Sequence, residues 1–214
     1  MENPTRRRVL AAGLTGTALG LLGGRVASAS PDTTEPTDES STPPTTAAAP
    51  ATTTTLPPKR PSASDIVFLN FAESVELAAR DLYQSSIDAG AKDDLITLLV
   101  ANHRGYADII RGILGTRSVG LRDNDLYDAE SSKFAVADMQ ALAPPAYDLE
   151  STLVATHTDL LAKLEGMDGA EDIASILIVE ARQAAVLADV MGKGGDFDAL
   201  FDESATPLAL PSGG

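Results

Sequence analysis

Cysteine is absent from the 214 residues, which excludes disulfides, thiolate metal sites, thiol nucleophiles and the acylated cysteine of a lipoprotein. Basic charge is scarce: 16 lysines and arginines face 31 acidic residues, a net charge of −15. A surface this acidic repels phosphate backbones and anionic headgroups, so the chain is expected to bind no nucleic acid and no charged membrane surface. Long apolar runs are lacking too. The stretch from Val9 to Leu22 is broken by Gly13, Thr15, Gly16, Thr17 and Gly20, and it falls short of the roughly 20 apolar residues that a helical span needs. No segment alternates with period two for long enough to predict a strand, and no glycine-rich phosphate loop is present. No local pattern signals a serine, histidine and acid triad. Methionines at 139, 167 and 191 suggest no haem ligand, and only two histidines occur in the chain.

What is present begins with a leader. Thr5, Arg6, Arg7, Arg8, Val9 and Leu10 set a basic cluster before the mildly apolar run, and Ala27, Ser28 and Ala29 supply small residues for cleavage. Residues 1–29 are therefore expected to be a signal peptide. Arg6 and Arg7, with Leu10 following, resemble the twin-arginine export signal. An ordinary secretory signal with a basic start is the alternative. Export to the periplasm, cell wall or exterior is expected by either route, with no membrane span after cleavage. Residues 30–61 are rich in Thr and Pro and hold almost no large apolar side chains, so they are expected to form a disordered linker. Residues 203–214 are expected to be a disordered tail.

Residues 62–202 suit one domain of ordinary size. Ser62 with Asp65 resembles a capping box, and Phe68, Ala72, Val75, Ala79 and Leu82 then recur on one helical face as far as Gly90. A second helix opens at Asp93 and Asp94, carries Leu95, Leu99, Asn102, Tyr106, Ile109 and Ile113, and ends near Gly115. From Thr116 to Ala143 periodicity fails, apart from a short helix predicted over 131–140. Pro144 and Pro145 are expected to open a third helix, marked by Leu149, Leu153, Leu160 and Leu164 and ending at Gly166. Asp168 with Glu171 offers a cap for a fourth, which carries Ile173, Ile176, Leu177, Glu180, Ala184, Leu187 and Met191 to Gly192. The predicted class is all-α. Short links within each pair and one long link between pairs suit an antiparallel four-helix bundle with a crossover between its second and third helices. The acidic run Asp123, Asp125, Asp128 and Glu130 lacks the glycine and terminal glutamate of a calcium loop and is read as a solvated loop.

Ionisable residues on core faces must be paired, metal-bound or neutral. Four places qualify: Glu73 with Glu76, His103 with Tyr106, Glu150 with His157, and Glu180 with Gln183. Spacings of three and seven place each pair on one helical face.

At these residues the chain resembles the ferritin-like domain proteins exported by actinobacteria. The resemblance is carried by Phe-Ala-Glu-Ser-Val-Glu-Leu-Ala-Ala, Asn-His-Arg-Gly-Tyr-Ala-Asp and Ile-Val-Glu-Ala-Arg-Gln-Ala-Ala, and spans about 63–192. It implies a ferritin-like bundle whose di-iron site takes a carboxylate from each of two helices and a carboxylate-x-x-His pair from each of the others. This chain departs from that pattern. Gln183 stands where the last histidine belongs, and Val100, three residues before His103, is no carboxylate. Glu76, His103, Glu150 and Glu180 are the candidate metal ligands that remain, a set acceptable to iron, manganese or zinc. Glu73 is read as a solvated neighbour, and His157 as either partly exposed or a substitute ligand. The opposing reading is a metal-free polar core. In it Glu76 meets Arg80, Glu180 meets Arg104 or Arg182, and His103 is hydrogen-bonded. Two functions therefore stand open: an envelope protein binding iron, manganese or another divalent cation, whose activity, if any, would be metal-dependent redox chemistry, and a catalytically silent module with a protein partner in the cell envelope.

Overall fold

A computed structural model describes residues 58–201 and 204–212. The expected signal peptide and all but the last residues of the expected linker lie outside them. Six helices follow in order: α1 Ala63–Asp88, α2 Asp94–Leu114, α3 Asn124–Phe134, α4 Met139–Leu161, α5 Met167–Val190 and the single turn α6 Phe197–Leu200. There is no strand among the described residues, and no helix there is long and apolar enough to cross a membrane. Helices α1 and α2 pack as one hairpin and α4 and α5 as another; the two pairs meet as a four-helix bundle.

The helix starts follow from side-chain capping. At α1 the box is complete: the Ser62 hydroxyl accepts from the Asp65 amide at 3.2 Å, and the Asp65 carboxylate accepts from the Ser62 amide at 2.9 Å. The same carboxylate also accepts from the amides of Glu165 and Gly166, at 2.9 and 2.8 Å. One buried side chain thus ties the start of α1 to the turn that precedes α5. The first amides of α5, Met167 and Asp168, donate to the carbonyls of Pro58 and Lys59. No side chain caps α5, so the cap expected from Asp168 and Glu171 is replaced by backbone from before α1. Gly166 is needed here, because a Cβ would stand 2.9 Å from the Arg60 carbonyl oxygen and from the Asp65 carboxylate.

Asp65→Asn removes the charge and one acceptor from this junction. It is expected to cost about 1–2 kcal/mol and to lower the thermal midpoint by roughly 2–8 °C. An unchanged midpoint would show that the junction closes without the carboxylate.

The crossover differs from the expectation in both of its helices. Pro144 and Pro145 do not open α4; they lie inside it, and the helix begins at Met139 under an Asp138 cap. Proline there removes two main-chain donors, and the helix continues because its buried face, with Leu142, Ala143, Ala146 and Leu149, holds it in the core. The short helix expected over 131–140 is instead α3. Its cap is Asp123, which accepts from the Leu126 amide at 2.9 Å, so the acidic run read as a solvated loop is a helix start. Glu130, also in that run, pairs with Lys133.

Three residues of α1 hold the crossover down. Asn70 donates to the Arg117 carbonyl and accepts from the Val119 amide; Ser74 offers its carbonyl to the Asp123 amide. Glu73 accepts from Arg111 at 2.9 Å and from the Ser118 hydroxyl at 2.6 Å. Glu73 is 1% exposed, not the solvated neighbour expected. Beyond it, Phe134 of α3 is buried edge-on to Tyr83, and its carbonyl accepts from Ser86.

Residues 204–212 have no regular structure, yet they are seated on the bundle, where the sequence predicts a disordered tail. The Leu208 amide donates to the Thr156 hydroxyl at 2.9 Å. Leu208 packs on one apolar cluster and Leu210 on another. Those two clusters divide the core. The first contains Val75, Leu82, Ile96, Leu99, Leu149 and Leu187, the second Leu69, Ala72, Ile110, Leu160, Ile173 and Ile176. Between them, on all four long helices, lies a layer of polar side chains that is two turns deep on α4.

Candidate metal centre

Each long helix contributes to this layer because each carries a polar residue in phase with its apolar stripe. Helix α1 supplies Glu76, α2 His103, α4 Glu150 and His157, and α5 Glu180; all five are 0% exposed. Burial on that scale is tolerated only with partners, and the partners are one another. His103 lies with Nδ1 2.8 Å from Glu76 Oε2 and Nε2 3.1 Å from Glu150 Oε1. Tyr83 donates to the same Glu150 oxygen at 2.6 Å. His157 Nδ1 is 2.7 Å from Glu180 Oε2.

Four atoms of the layer lack a hydrogen-bond partner: Glu76 Oε1, Glu150 Oε2, His157 Nε2 and Glu180 Oε1. Buried polar atoms are seldom left this way. Glu76, His157 and Glu180 each offer a ligand atom within 4.8 Å of the other two. His157 Nε2 and Glu76 Oε1 stand 3.4 Å apart without forming a hydrogen bond. Two ligands each about 2.1 Å from one ion at a tetrahedral angle are separated by about 3.4 Å. The two oxygens and one nitrogen also suit the chemistry of iron, manganese or zinc. These residues therefore fit a single metal ion.

The electrostatics of the metal-free cluster agree with that crowding. Burial and the neighbouring Glu180 push the Glu76 carboxyl up to about 7, against the pull of His103 and His157. Burial opposes charge on His157, but Glu180 and Glu76 outweigh it and hold the imidazole at about 9. His103 is held well above its ordinary value, because Glu150 and Glu76 overcome the same burial. For Glu180 burial works upward, yet His157 and His103 bring its net value below the ordinary range. Burial and Glu150 push the Tyr83 phenol up.

The structure thus brings together all four residues singled out by the sequence, Glu76, His103, Glu150 and Glu180. It adds His157 as a full member. The converging trio is Glu76, His157 and Glu180, whereas His103 and Glu150 are engaged with each other and with Tyr83. The sequence signal for His157 is its spacing of seven from Glu150, which keeps both on the inner face of α4. The arginine pairings considered for the metal-free reading do not form: Arg80 pairs with Asp81, and Glu180 meets His157. Gln183 and Tyr106 are nearly buried and meet each other at 3.4 Å, with Tyr106 edge-on to the His103 ring.

A fold of two helical hairpins with a carboxylate and histidine layer at its centre defines a class. The ferritin-like domain family model matches residues 64–193, more than half of the chain, and the chain belongs to that family. No curated protein and no solved structure matches the chain.

Proposed function

We propose that this chain is an exported ferritin-like module that binds one divalent cation, iron or manganese first, inside its bundle. The observation that carries the reading is the convergence of Glu76, His157 and Glu180, each with one buried atom that lacks a hydrogen-bond partner. Glu76 and Glu180 supply oxygen ligands, and His157 supplies Nε2. The Glu180 Oε2 atom holds the His157 ring through Nδ1, which fixes the tautomer that presents Nε2. Tyr106 and Gln183, buried beside the layer, meet each other at 3.4 Å. Bound iron or manganese would supply one-electron redox chemistry. Metal analysis of the purified full chain, followed by titration of the metal-free form with cobalt(II), tests the proposal. Saturable uptake with a ligand-field spectrum supports it; uptake no greater than that of a Glu76→Gln, Glu180→Gln double variant leaves a metal-free polar core, a structural or partner-binding module, as the function.

Export rests on residues 5–29. The guanidinium pair of Arg6 and Arg7, followed by Leu10 and the small residues 27–29, supports the twin-arginine route, which carries folded proteins. Replacing Arg6 and Arg7 by lysine is expected to hold the precursor inside the cell, because lysine keeps the charge and loses the planar fork. Undiminished secretion of the double variant would instead indicate the ordinary secretory route.

A further inference from the structure

Three buried carboxylates in one polar layer require compensating charge. Among the described residues Glu76, Glu150 and Glu180 have no lysine or arginine partner; the only cationic groups beside them are two imidazoles. Those imidazoles are used differently. His157 commits one ring nitrogen to Glu180 and leaves the other free. His103 commits both, to carboxylates on two different helices. Both His103 nitrogens are thus already engaged by carboxylate oxygens. The ring is also locked in place: Tyr83 stacks on it at 5.4 Å and an interplanar angle of 16°, while Tyr106 meets it edge-on at 5.6 Å. Tyr83 further fixes the Glu150 oxygen that His103 bonds.

We propose that His103 stands in place of a second metal ion, bridging Glu76 and Glu150 through both ring nitrogens, so that the bundle takes one divalent ion and not two. This rests on the reading that Glu76, His157 and Glu180 hold an ion. His103 is then a positioning residue: it holds Glu76 by Oε2 so that Oε1 points at His157, and it engages Glu150 Oε1 without a metal.

The chain's two histidines make the test direct. The full chain, labelled with nitrogen-15 in histidine, is titrated with zinc and followed by long-range nitrogen–proton correlation, the His157 signals being assigned by their loss in His157→Gln. Binding is expected to saturate at one zinc per chain, with His157 taking a metal-bound nitrogen shift and His103 showing none on either ring nitrogen. His103→Ala, which removes the bridge, is expected to raise the stoichiometry from one to two. Metal-bound shifts on both histidines, or two zinc ions on the unaltered chain, would overturn the assignment of His103 while leaving metal binding intact. No zinc-induced shift on either ring would overturn both readings. Should His103→Ala fail to fold, the spectrum of the unaltered chain still decides.

Discussion

Cobalt(II) titrated into the His157→Gln variant of the full chain is expected to bind roughly a hundredfold or more weaker than to the unaltered protein. The magnitude follows from the kind of bond removed: outer partners of metal ligands cost about 10–100-fold, and a direct ligand should cost at least as much. Glutamine fills similar space and can still donate to Glu180, so the metal-free bundle should keep its helical circular dichroism. A drop in affinity with the fold retained separates a ligand from a mere packing residue. Equal affinity in the two proteins would place the ion elsewhere or nowhere. The result also bears on what spacing alone can tell, since spacing leaves His157 between a substitute ligand and a partly exposed residue.

The metal-free protein is expected to be most stable in mild acid and to lose stability as pH rises towards 9. The folded chain holds Glu76 at about 7 against an ordinary 4.5, and His157 at about 9 against 6.5. His103 is shifted upward too. Each of these groups binds a proton more tightly when folded, so the folded state carries more protons than the unfolded one, and stability falls with pH. The Glu76 contribution is lost between 4.5 and about 7, that of His157 between 6.5 and about 9. Glu180 acts in the opposite sense: its value is lowered, so its contribution is present above 4.5 and is lost in stronger acid. Urea midpoints in the presence of a chelator, taken near pH 5, 7 and 9, should therefore descend. Addition of a saturating divalent cation should restore the midpoint most at the alkaline end, because binding there displaces fewer protons. A flat profile would mean that the buried histidines and carboxylates do not share charge in the way their distances imply.

Much of the bundle was legible because the four long helices carry apolar stripes at helical spacing, and because Ser62 and Asp65 write their cap within four consecutive residues. The crossover was not. Pro144 and Pro145 mark a helix start by local rules, but packing of Leu142 and Ala143 carries α4 back to Met139. The α5 start was unreadable for a different reason: its donors are met by Pro58, Lys59 and Asp65, far away along the chain. The polar layer could be read as a set because Glu76, His103, Glu150 and Glu180 interrupt apolar stripes. Which atoms face each other could not. That choice depends on the rotation of each helix about its axis, and it makes His103 a bridge where a ligand is expected and moves His157 from the margin to the centre. Glu73 escapes a sequence reading because Arg111 and Ser118 reach it from α2 and the crossover, pairings without a local pattern.

If the bundle binds an ion as proposed, the seating of the C-terminal segment would bear on a rate rather than on an affinity. Leu208 rests on one apolar cluster and Leu210 on the other, and Pro211 reaches a groove beside Val67 and Phe71 of α1. The segment is held to α4 at Thr156, the neighbour of His157. The hydrogen bonds within the polar layer run between side chains of α1, α2, α4 and α5, so detachment of the segment would leave the preference of the proposed site for an ion nearly unchanged. What would change is residence time: an ion already inside would depart sooner, and one outside would enter sooner, each time the segment lifted.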